Sequence, residues 1–381
     1  MSDAPRALIQ VDLDAIRANL ARLSEIAGGT PLLAVVKADG YGHGMLPVAR
    51  AAREAGVPWL GVATLDEAAA LRADGDIGRL LAWLVVPGED YRPVIEADVD
   101  VSVSSAQVLS EIAGTAREIG APARVHLKVD SGLNRGGCAL ADWPDLVAQA
   151  RAAEDQGQIT VAGVWSHYAC ADVPDHPAND EQDKAFSWAL EIAEAAGLRP
   201  EVRHLSASAA TIARPGARYD LVRVGIAMYG LSPIPDRFPA EDLGLVQAMT
   251  VTARLALTKA IDAGASVSYG HTWTADRSTL LGLVPVGYAE GIPRSASSVA
   301  EVSVRGQRRP IAGRVCMDQF LVDLGDEDVS AGEQILLFGP EGPTAQDWAE
   351  ACDTISYEIV TRIGGRFERR YIGMDPEEAA R

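Results

Sequence analysis

The sequence predicts an α/β fold in which an N-terminal (β/α)8 barrel of the TIM type precedes a mainly β domain. Eight short apolar runs alternate with Ala-rich amphipathic segments over about 230 residues. Such runs are typical of strands buried on both faces, in a closed barrel or an open doubly wound sheet, and eight strands favour the barrel. A proline-rich segment at 232–240 ends this pattern, and short strands with Gly or Asp turns follow. We therefore place the barrel at 12–240 and the β domain at 241–381, with residues 1–11 free to join the β domain.

Local patterns predict the individual elements. Barrel strands are expected at 32–37, 59–63, 80–86, 99–104, 124–129, 160–166, 201–205 and 219–226. Amphipathic helices are expected at 14–26, 47–55, 65–73, 106–119, 143–153 and 180–196, several of them ending at a glycine. In the second domain, strands are expected at 249–257, 279–286, 299–304, 308–311, 320–324 and 334–338, with one helix at 344–352.

Composition excludes several classes of function. Lys and Arg total 34 and Asp and Glu total 53, so the formal charge is −19 and binding to nucleic acid or anionic membranes is disfavoured. The four cysteines are widely spaced, which indicates a reduced cytoplasmic protein without a structural zinc site. The six histidines are scattered and suggest no metal cluster, and neither a signal peptide nor a membrane-spanning run is evident.

Lys37 is the first candidate for chemistry. It ends a predicted barrel strand, and barrels carry their catalytic side chains at the C-terminal ends of strands. Gly40, Gly42 and Gly44 follow, so the backbone can turn tightly and approach a ligand. A partly buried lysine has a lowered pKa and can form an imine with a carbonyl group. The ordinary alternative for any single lysine is a solvated surface side chain.

Segments in both domains resemble those of the alanine racemases, a family that depends on pyridoxal 5'-phosphate. The segment around Lys37 reads AVVKADGYGHG. The others are VHLKVDSGLNR at 125–135, VWSHY at 164–168, HLSASAA at 204–210, DLVRVGIAMYG at 220–230, VSYG at 267–270, VGYAEG at 286–291, GRVCMD at 313–318 and ISYE at 355–358. Each is weak alone, whereas the ordered set is specific. The resemblance implies a barrel plus a β domain, a homodimer with shared active sites, and interconversion of L-alanine and D-alanine for peptidoglycan synthesis.

The resemblance also implies roles for the matched residues. Racemisation needs a proton removed from one face of a planar intermediate and another delivered to the opposite face, so two bases serve better than one. Lys37 would hold the cofactor as an imine and act as one base on the external aldimine. Tyr269 of the partner subunit would be the other, hydrogen-bonded by His167. The implied phosphate donors are Tyr41, Ser208, Gly225, Ile226 and Tyr357.

Further matched residues would tune the ring and hold the substrate. Arg223 would face the pyridine nitrogen with support from His204, and because arginine keeps its proton the nitrogen would stay unprotonated, which favours racemisation over transamination. Arg135 would orient the substrate carboxylate. Lys128 lies upstream of Arg135, and we treat a carbamate on it, found in some members, as a hypothesis. The implied entrance residues are Tyr288, Met317 and Asp318.

Several of these residues have ordinary explanations when considered singly. Arg223 could form a buried ion pair, Ser208 could cap a helix, Tyr269 could be a packed aromatic residue with a satisfied hydroxyl, and Met317 could belong to the core. Rival functions also remain. They are a serine or broad-specificity racemase, a decarboxylase, which the arginine argues against, and a non-catalytic cofactor carrier, which the β domain argues against.

Two positions depart from the family pattern. Ala207 stands where many members have asparagine, so a polar contact is expected to be missing or replaced. Glu290 stands where aspartate is usual, and we expect its extra methylene to reshape the substrate entrance. Both departures bear on substrate breadth more than on the type of reaction.

Overall fold

The computed structural model describes residues 5–374, and its first strand, β1 (Ala7–Asp12), lies outside the barrel. Buried and half-buried side chains alternate along β1, as expected for a strand with one face on a core. Asp12 then caps the first helix, because its carboxylate accepts a hydrogen bond of 3.0 Å from the backbone N–H of Ala15. This cap turns the chain from the sheet of the second domain into the barrel.

Eight parallel strands form the barrel. They are β2 (Leu32–Val35), β3 (Trp59–Val62), β4 (Arg79–Ala82), β5 (Asp100–Val103), β6 (Ala123–Lys128), β7 (Ile159–Trp165), β8 (Val202–His204) and β9 (Val222–Val224). Neighbours pair in chain order from β2 to β8, and β9 pairs with β2. A bridge between Ala207 and Arg223 links the ends of β8 and β9, so the barrel is nearly closed. The prediction of a barrel over an open sheet is confirmed.

Helices cover the outside of this barrel. They are α1 (Leu13–Ile26), α2 (Lys37–Tyr41), α3 (Met45–Glu54), α4 (Leu65–Ala73), α5 (Arg92–Glu96), α6 (Ala106–Ile119), α7 (Trp143–Asp155), α8 (Ala178–Ala195) and α9 (Ser208–Ala213). All six predicted helices are present, with bounds shifted by two residues or fewer. The short helices α2, α5 and α9 were not predicted, because five or six residues are too few to show a helical period.

The second domain is mainly β. Its strands are β10 (Met249–Arg254), β11 (Leu257–Ile261), β12 (Ser266–Val267), β13 (Trp273–Thr274), β14 (Thr279–Val284), β15 (Glu301–Val304), β16 (Gln307–Pro310), β17 (Phe320–Gly325), β18 (Gln334–Phe338) and β19 (Glu368–Ile372), and its helices are α10 (Ala345–Ala351) and α11 (Ser356–Arg362). One sheet has the order β16-β15-β18-β10-β1-β19, and a second has the order β11-β14-β17. The N-terminal strand thus completes the larger sheet.

The structure changes some predicted bounds. The strand predicted at 249–257 is two strands, because the chain leaves one sheet after β10 and enters the other at β11. Lys37 was predicted to end a strand, whereas β2 ends at Val35 and Lys37 begins α2. Apolar composition alone cannot show where a ladder stops. No helix within residues 5–374 is both long and apolar enough to cross a membrane.

Candidate active site

The backbone that follows Lys37 is wound in the left-handed sense. Ala38, Asp39, Gly40 and Tyr41 have φ values of 53°, 52°, 60° and 53°. Residues with a Cβ adopt this conformation at a cost of about 1–2 kcal/mol each, and consecutive ones are unusual. Strain of this kind persists where the surrounding contacts compensate for it, and it concentrates at functional sites.

Contacts from three other segments hold this left-handed turn. The Asp39 carboxylate accepts a hydrogen bond of 2.9 Å from the N–H of Met45 and pairs at 2.7 Å with Arg369 of β19. The N–H of Ala38 donates to Glu67 of α4 at 2.7 Å. The second domain therefore helps to fix the segment that carries Lys37.

Lys37 lies half-buried at the C-terminal end of β2. Its ammonium nitrogen stands 5.9 Å from the centre of the Trp83 ring. Burial lowers the pKa of Lys37, and the nearby positive charge of Arg135 lowers it further. The alternative of a solvated surface lysine is therefore wrong. Compared with such a lysine, Lys37 has a larger share of its amine in the neutral, nucleophilic form at neutral pH.

Lys37, Arg135 and Arg223 gather around a second lysine, Lys128. The Lys128 ammonium lies 4.5 Å from the centre of the Trp165 ring, and burial together with Arg223 lowers its pKa to about 8. Arg135 follows β6 and lowers the pKa values of both lysines. Within the described part of the chain, Lys37, Lys128 and Arg135 form no ion pair with a carboxylate. The C-terminal mouth of the barrel is thus a positive pocket suited to an anionic ligand.

Arg223 is buried in β9, with 3% of its surface exposed. Its guanidinium donates at 2.9 Å to the carbonyl groups of Ser166 and Leu205. It also donates to two ring nitrogens, Nδ1 of His204 at 3.0 Å and Nδ1 of His167 at 3.1 Å. The alternative of a buried ion pair is wrong, since these acceptors are neutral.

Both histidines beside Arg223 remain neutral at physiological pH. Burial and the positive charge of Arg223 hold the pKa values of His167 and His204 well below their usual range. Burial lowers the pKa of Arg223 itself to about 9, so the guanidinium is still charged. Arg223 is therefore a fixed positive donor without a neighbouring base strong enough to remove its proton.

The predicted phosphate donors converge next to this cluster. The hydroxyl of Ser208, the first residue of α9, accepts a hydrogen bond of 2.9 Å from the N–H of Gly225. A Cβ placed on Gly225 would stand 2.6 Å from the Tyr41 hydroxyl, which shows how closely that tyrosine approaches the backbone. The rings of Tyr41 and Tyr357 lie 6.2 Å apart. Ile226 begins the next turn of chain.

These groups are donors at neutral pH. Burial raises the pKa values of Tyr41 and Tyr357, so both hydroxyls keep their protons. Ser208 does not cap α9, as the ordinary explanation supposed, because the capping position is Ala207 and its methyl group makes no cap hydrogen bond.

Tyr269 and two predicted entrance residues lie exposed on the β domain. Tyr269 is 71% exposed, Met317 54% and Tyr288 44%, so the alternatives of a packed tyrosine and a core methionine are wrong. A cavity of about 350 Å³ beside Tyr269 is lined by Ser268, Cys316 and Phe320 among others. Among the described residues, no hydrogen bond joins Tyr269 to the cationic pocket of the barrel.

Glu290, whose extra methylene was expected to reshape the substrate entrance, makes its contacts in the interior. It is fully buried, and its carboxylate accepts a hydrogen bond of 2.8 Å from the N–H of Gly287 and pairs with Arg366. Arg366 also pairs with Asp318 at 2.6 Å. The longer side chain thus acts beneath the surface, where it ties Asp318 to the loop that carries Tyr288.

Sequence reasoning missed several residues of the site. The rings of Trp83 and Trp165 lie near the ammonium groups of Lys37 and Lys128. Both were expected within strands, and Trp165 falls in the matched segment at 164–168, but neither was given a role. His126 falls in the matched segment at 125–135 but was given no role, and Asp100 lies outside every matched segment; both lie behind His204. Within residues 5–374, no group of three or more His, Cys, Asp or Glu side chains is placed to hold a metal ion.

The donor set fits an aldehyde cofactor with a phosphate tail. The hydroxyl groups of Tyr41 and Ser208 lie close to the backbone of Gly225, and Lys37, whose pKa is lowered, follows the end of β2. A charged guanidinium lies between two neutral histidines on one side. Such an arrangement can bind phosphate, attack a carbonyl carbon and donate to a ring nitrogen.

Comparison with known proteins agrees with this geometry. Residues 11–233 match the family model described as the alanine racemase N-terminal domain, and residues 248–371 match that of the C-terminal domain. The alanine racemase of Frankia casuarinae is 54% identical over 370 residues, which cover 96% of each chain.

Solved structures of similar fold belong to the same group. The alanine racemase from the D-cycloserine producer Streptomyces lavendulae superposes with a TM-score of 0.97 at 50% identity, covering 98% of this chain and 99% of that one. The alanine racemase of Bartonella henselae, described with covalently bound pyridoxal phosphate, gives a TM-score of 0.87 at 27% identity, covering 97% and 100% of the two chains. Since both domains match across nearly the whole chain, the protein belongs to the alanine racemase family.

Proposed function

We propose that this chain is a pyridoxal-phosphate-dependent racemase that interconverts L-alanine and D-alanine. The observation that carries the proposal is the environment of Arg223, whose charged guanidinium is held by neutral acceptors at the mouth of the barrel. A donor that keeps its proton leaves a pyridine nitrogen unprotonated. A decarboxylase of similar architecture would be expected to place an acidic group there instead. Relatives at about half identity, named alanine racemase, support the same reaction.

Pyridoxal 5'-phosphate, when bound, supplies an electron sink that makes the α-hydrogen of an amino acid acidic. Lys37 would hold its aldehyde carbon. Tyr41, Tyr357, Ser208 and the backbone N–H groups of Gly225 and Ile226 would hold its phosphate. The closeness of Tyr41 to Gly225 and of Tyr41 to Tyr357 supports a single anion site for this set.

The protein's own groups would then move the protons. Burial and the charge of Arg135 lower the pKa of Lys37, which favours the neutral amine that a base requires. Arg135, which is close enough to lower that pKa, would orient the substrate carboxylate, and Lys128 would stand behind it. His167 accepts from Arg223 through Nδ1, so its remaining proton is on Nε2, free to donate to the tyrosine that acts from the opposite face.

That tyrosine would be Tyr269 of the partner subunit in a homodimer. Within one chain, Tyr269 is exposed on the β domain together with Met317 and Tyr288. An interface at this surface would cover these three large side chains, which a single chain leaves in solvent. Placing this surface over the mouth of the partner's barrel would bring the second base, together with Met317, to the substrate and exclude water from it.

The first experiment follows the circular dichroism of L-alanine incubated with cofactor-loaded protein. We expect the signal to decay to zero. Lys37→Ala should abolish the decay, whereas the control Lys184→Ala, which changes an exposed lysine of α8, should leave it unchanged. A constant signal from protein with bound cofactor would contradict the assignment. Decay with L-serine at a similar rate would favour a broad-specificity racemase, and release of carbon dioxide would favour a decarboxylase.

A mixing experiment tests the shared site. In a hybrid of Lys37→Ala and Tyr269→Ala subunits, one active site keeps both bases and the other has neither. Equal mixing of two inactive homodimers should therefore restore about a quarter of wild-type activity, since half of the dimers are hybrids. Activity that stays at zero after exchange would show that both bases act within one chain. Full activity of the Tyr269→Ala protein would exclude a role for this tyrosine.

A further inference from the structure

A chain of hydrogen bonds leads from Arg223 across the interior of the barrel to a buried carboxylate. His204 accepts from Arg223 through Nδ1 at 3.0 Å, and its Nε2 lies 2.9 Å from Nδ1 of His126. Nε2 of His126 lies 2.9 Å from the carboxylate of Asp100. His204, His126 and Asp100 are all 0% exposed, on strands β8, β6 and β5. We call Arg223, His204, His126 and Asp100 the relay.

The proton positions in the relay follow from its two ends. Arginine can only donate, so Nδ1 of His204 carries a lone pair and its proton must be on Nε2. That proton points to Nδ1 of His126, which must therefore accept, and so the proton of His126 is on Nε2 and points to Asp100. A carboxylate can only accept. The relay thus has one consistent arrangement, with two neutral imidazoles between a cation and an anion.

Asp100 is kept ionised so that it can act as the terminal acceptor. Burial alone would raise its pKa, but hydrogen bonds from His126 and Arg124 together hold it below its usual value. Arg124 pairs with Asp100 at 2.8 Å and with Glu201 at 2.8 Å at the opposite end of the barrel from Lys37. Because Arg124 has two carboxylate partners, it neutralises Asp100 only in part.

The surroundings of the relay leave the rings little freedom. A Cβ on Gly163 of β7 would stand 2.3 Å from Nδ1 of His126, so a glycine is needed where the ring passes. Trp165 stacks on His204 with ring centres 5.5 Å apart and planes 5° from parallel. Trp59 meets His126 edge-on at 5.5 Å. Rotation of either imidazole to its other orientation would require these neighbours to move.

From this geometry we infer that Asp100 and His126 are positioning residues for the cofactor-binding arginine. They fix the tautomer of His204. Its Nδ1 then accepts a hydrogen bond from Arg223 and carries no N–H that would repel the guanidinium. The inference rests on the proposed function in that Arg223 is taken to face the cofactor ring. Without Asp100, the relay can reverse, and His204 would then present a proton to a group that only donates.

The test combines nuclear magnetic resonance with kinetics on the full-length, cofactor-loaded protein. With ¹⁵N-labelled histidine, wild-type His204 should show one tautomer, protonated on Nε2. Asp100→Asn keeps the shape of the side chain but offers both an acceptor and a donor to His126. We expect His204 to show both tautomers in this variant and kcat to fall at least about tenfold with little change in KM, as for loss of a hydrogen bond to a charged group.

Matched variants separate positioning from stability. Glu201→Gln removes the outer partner of Arg124 but leaves the contact with Asp100, so the tautomer and kcat should stay as in wild type. His126→Asn, which breaks the link to Asp100 from the other side, should mix the tautomers as Asp100→Asn does, and it serves if Asp100→Asn does not fold.

The outcomes also distinguish this inference from the proposed function. A wild-type His204 protonated on Nδ1, or a single Nε2 tautomer with unchanged kcat in Asp100→Asn, would overturn the role of the relay. If Asp100→Asn shows both tautomers of His204 but the wild-type protein does not racemise alanine, the role of the relay is supported and the proposed reaction is contradicted. Because the wild-type spectrum alone can refute the inference, it does not depend on any variant folding.

Discussion

Replacing Gly225 with alanine should weaken cofactor binding through a single clash. The new Cβ would stand 2.6 Å from the Tyr41 hydroxyl, whereas ordinary contact begins at 3.4 Å, so the hydroxyl would have to retreat by about 0.8 Å. The Tyr41 ring cannot move freely, because it is 8% exposed and packs 5.0 Å from the ring of Tyr229. The variant therefore displaces one of the proposed phosphate donors.

The size of the effect follows from the cost of overpacking. Adding a methyl group to a well-packed region costs about 1–3 kcal/mol. If the bound state bears this cost, the dissociation constant of pyridoxal 5'-phosphate should rise about 5- to 150-fold. Racemase activity should return at saturating cofactor, because neither Lys37 nor Arg223 is touched by the change.

The assay is a titration of cofactor-free protein followed by the absorbance of the bound cofactor. Gly216→Ala provides the control, since Gly216 precedes β9 in the same domain and a Cβ there meets nothing within 4 Å. We expect the control to bind as wild type does. If Gly225→Ala also binds with unchanged affinity, the Tyr41 hydroxyl does not contact the phosphate and the assignment of this site is wrong.

Three other predictions concern strain, modification and pH. Ala38→Gly should raise the thermal midpoint of unfolding, because it relieves about 1–2 kcal/mol of left-handed strain, which exceeds the entropic cost of a glycine of about 0.5–1 kcal/mol. The control Ala70→Gly, in the regular helix α4, should lower the midpoint. If both variants lower the midpoint equally, residue 38 is not strained. Lys128, with its pKa lowered to about 8, has enough neutral amine to react with carbon dioxide, so native mass spectrometry in bicarbonate should show one added carbon dioxide that Lys128→Gln lacks. Asp100 has a lowered pKa when folded, so its stabilisation is complete above the unfolded value of about 3.9 and is lost as the pH falls through the folded value. The difference in stability between wild type and Asp100→Asn should accordingly be constant from pH 7 to about 5 and shrink below about 4, and a difference that shrinks near neutrality would contradict this account.

Much of the barrel was predictable because its signals are local. Strands such as β3 and β6 are short apolar runs, and helices such as α3 and α6 show the helical period of apolar side chains within one segment. The break between β10 and β11 was missed, since a chain can pass from one sheet to another without any change in composition. The residue types at Lys37 and Arg223, in their matched segments, indicated the family before any geometry was known.

The roles of the individual site residues remain predictions, but the structure shows why some of them could not be ranked from the sequence. Arg223 was expected either in an ion pair or beside a cofactor, and the choice depended on acceptors 18 to 57 positions away in the chain. The extra methylene of Glu290 was expected to reshape an entrance, and the sequence could not show that this side chain is fully buried and pairs with Arg366. The burial of a side chain and the groups that it contacts are properties of the folded molecule, so the sequence alone shows neither.

The amino-acid sequence alone established the order of the barrel strands and of the six longer barrel helices, the likeness to the family and the kinds of side chain available for chemistry. These features depend on local periodicity and on motifs, which can be recognised without knowledge of contacts. Packing alone established the left-handed turn after Lys37, the convergence of four cations and the path from Arg223 to Asp100. Each of these depends on groups from separate strands meeting in a water-poor interior, where distance and desolvation set the protonation states.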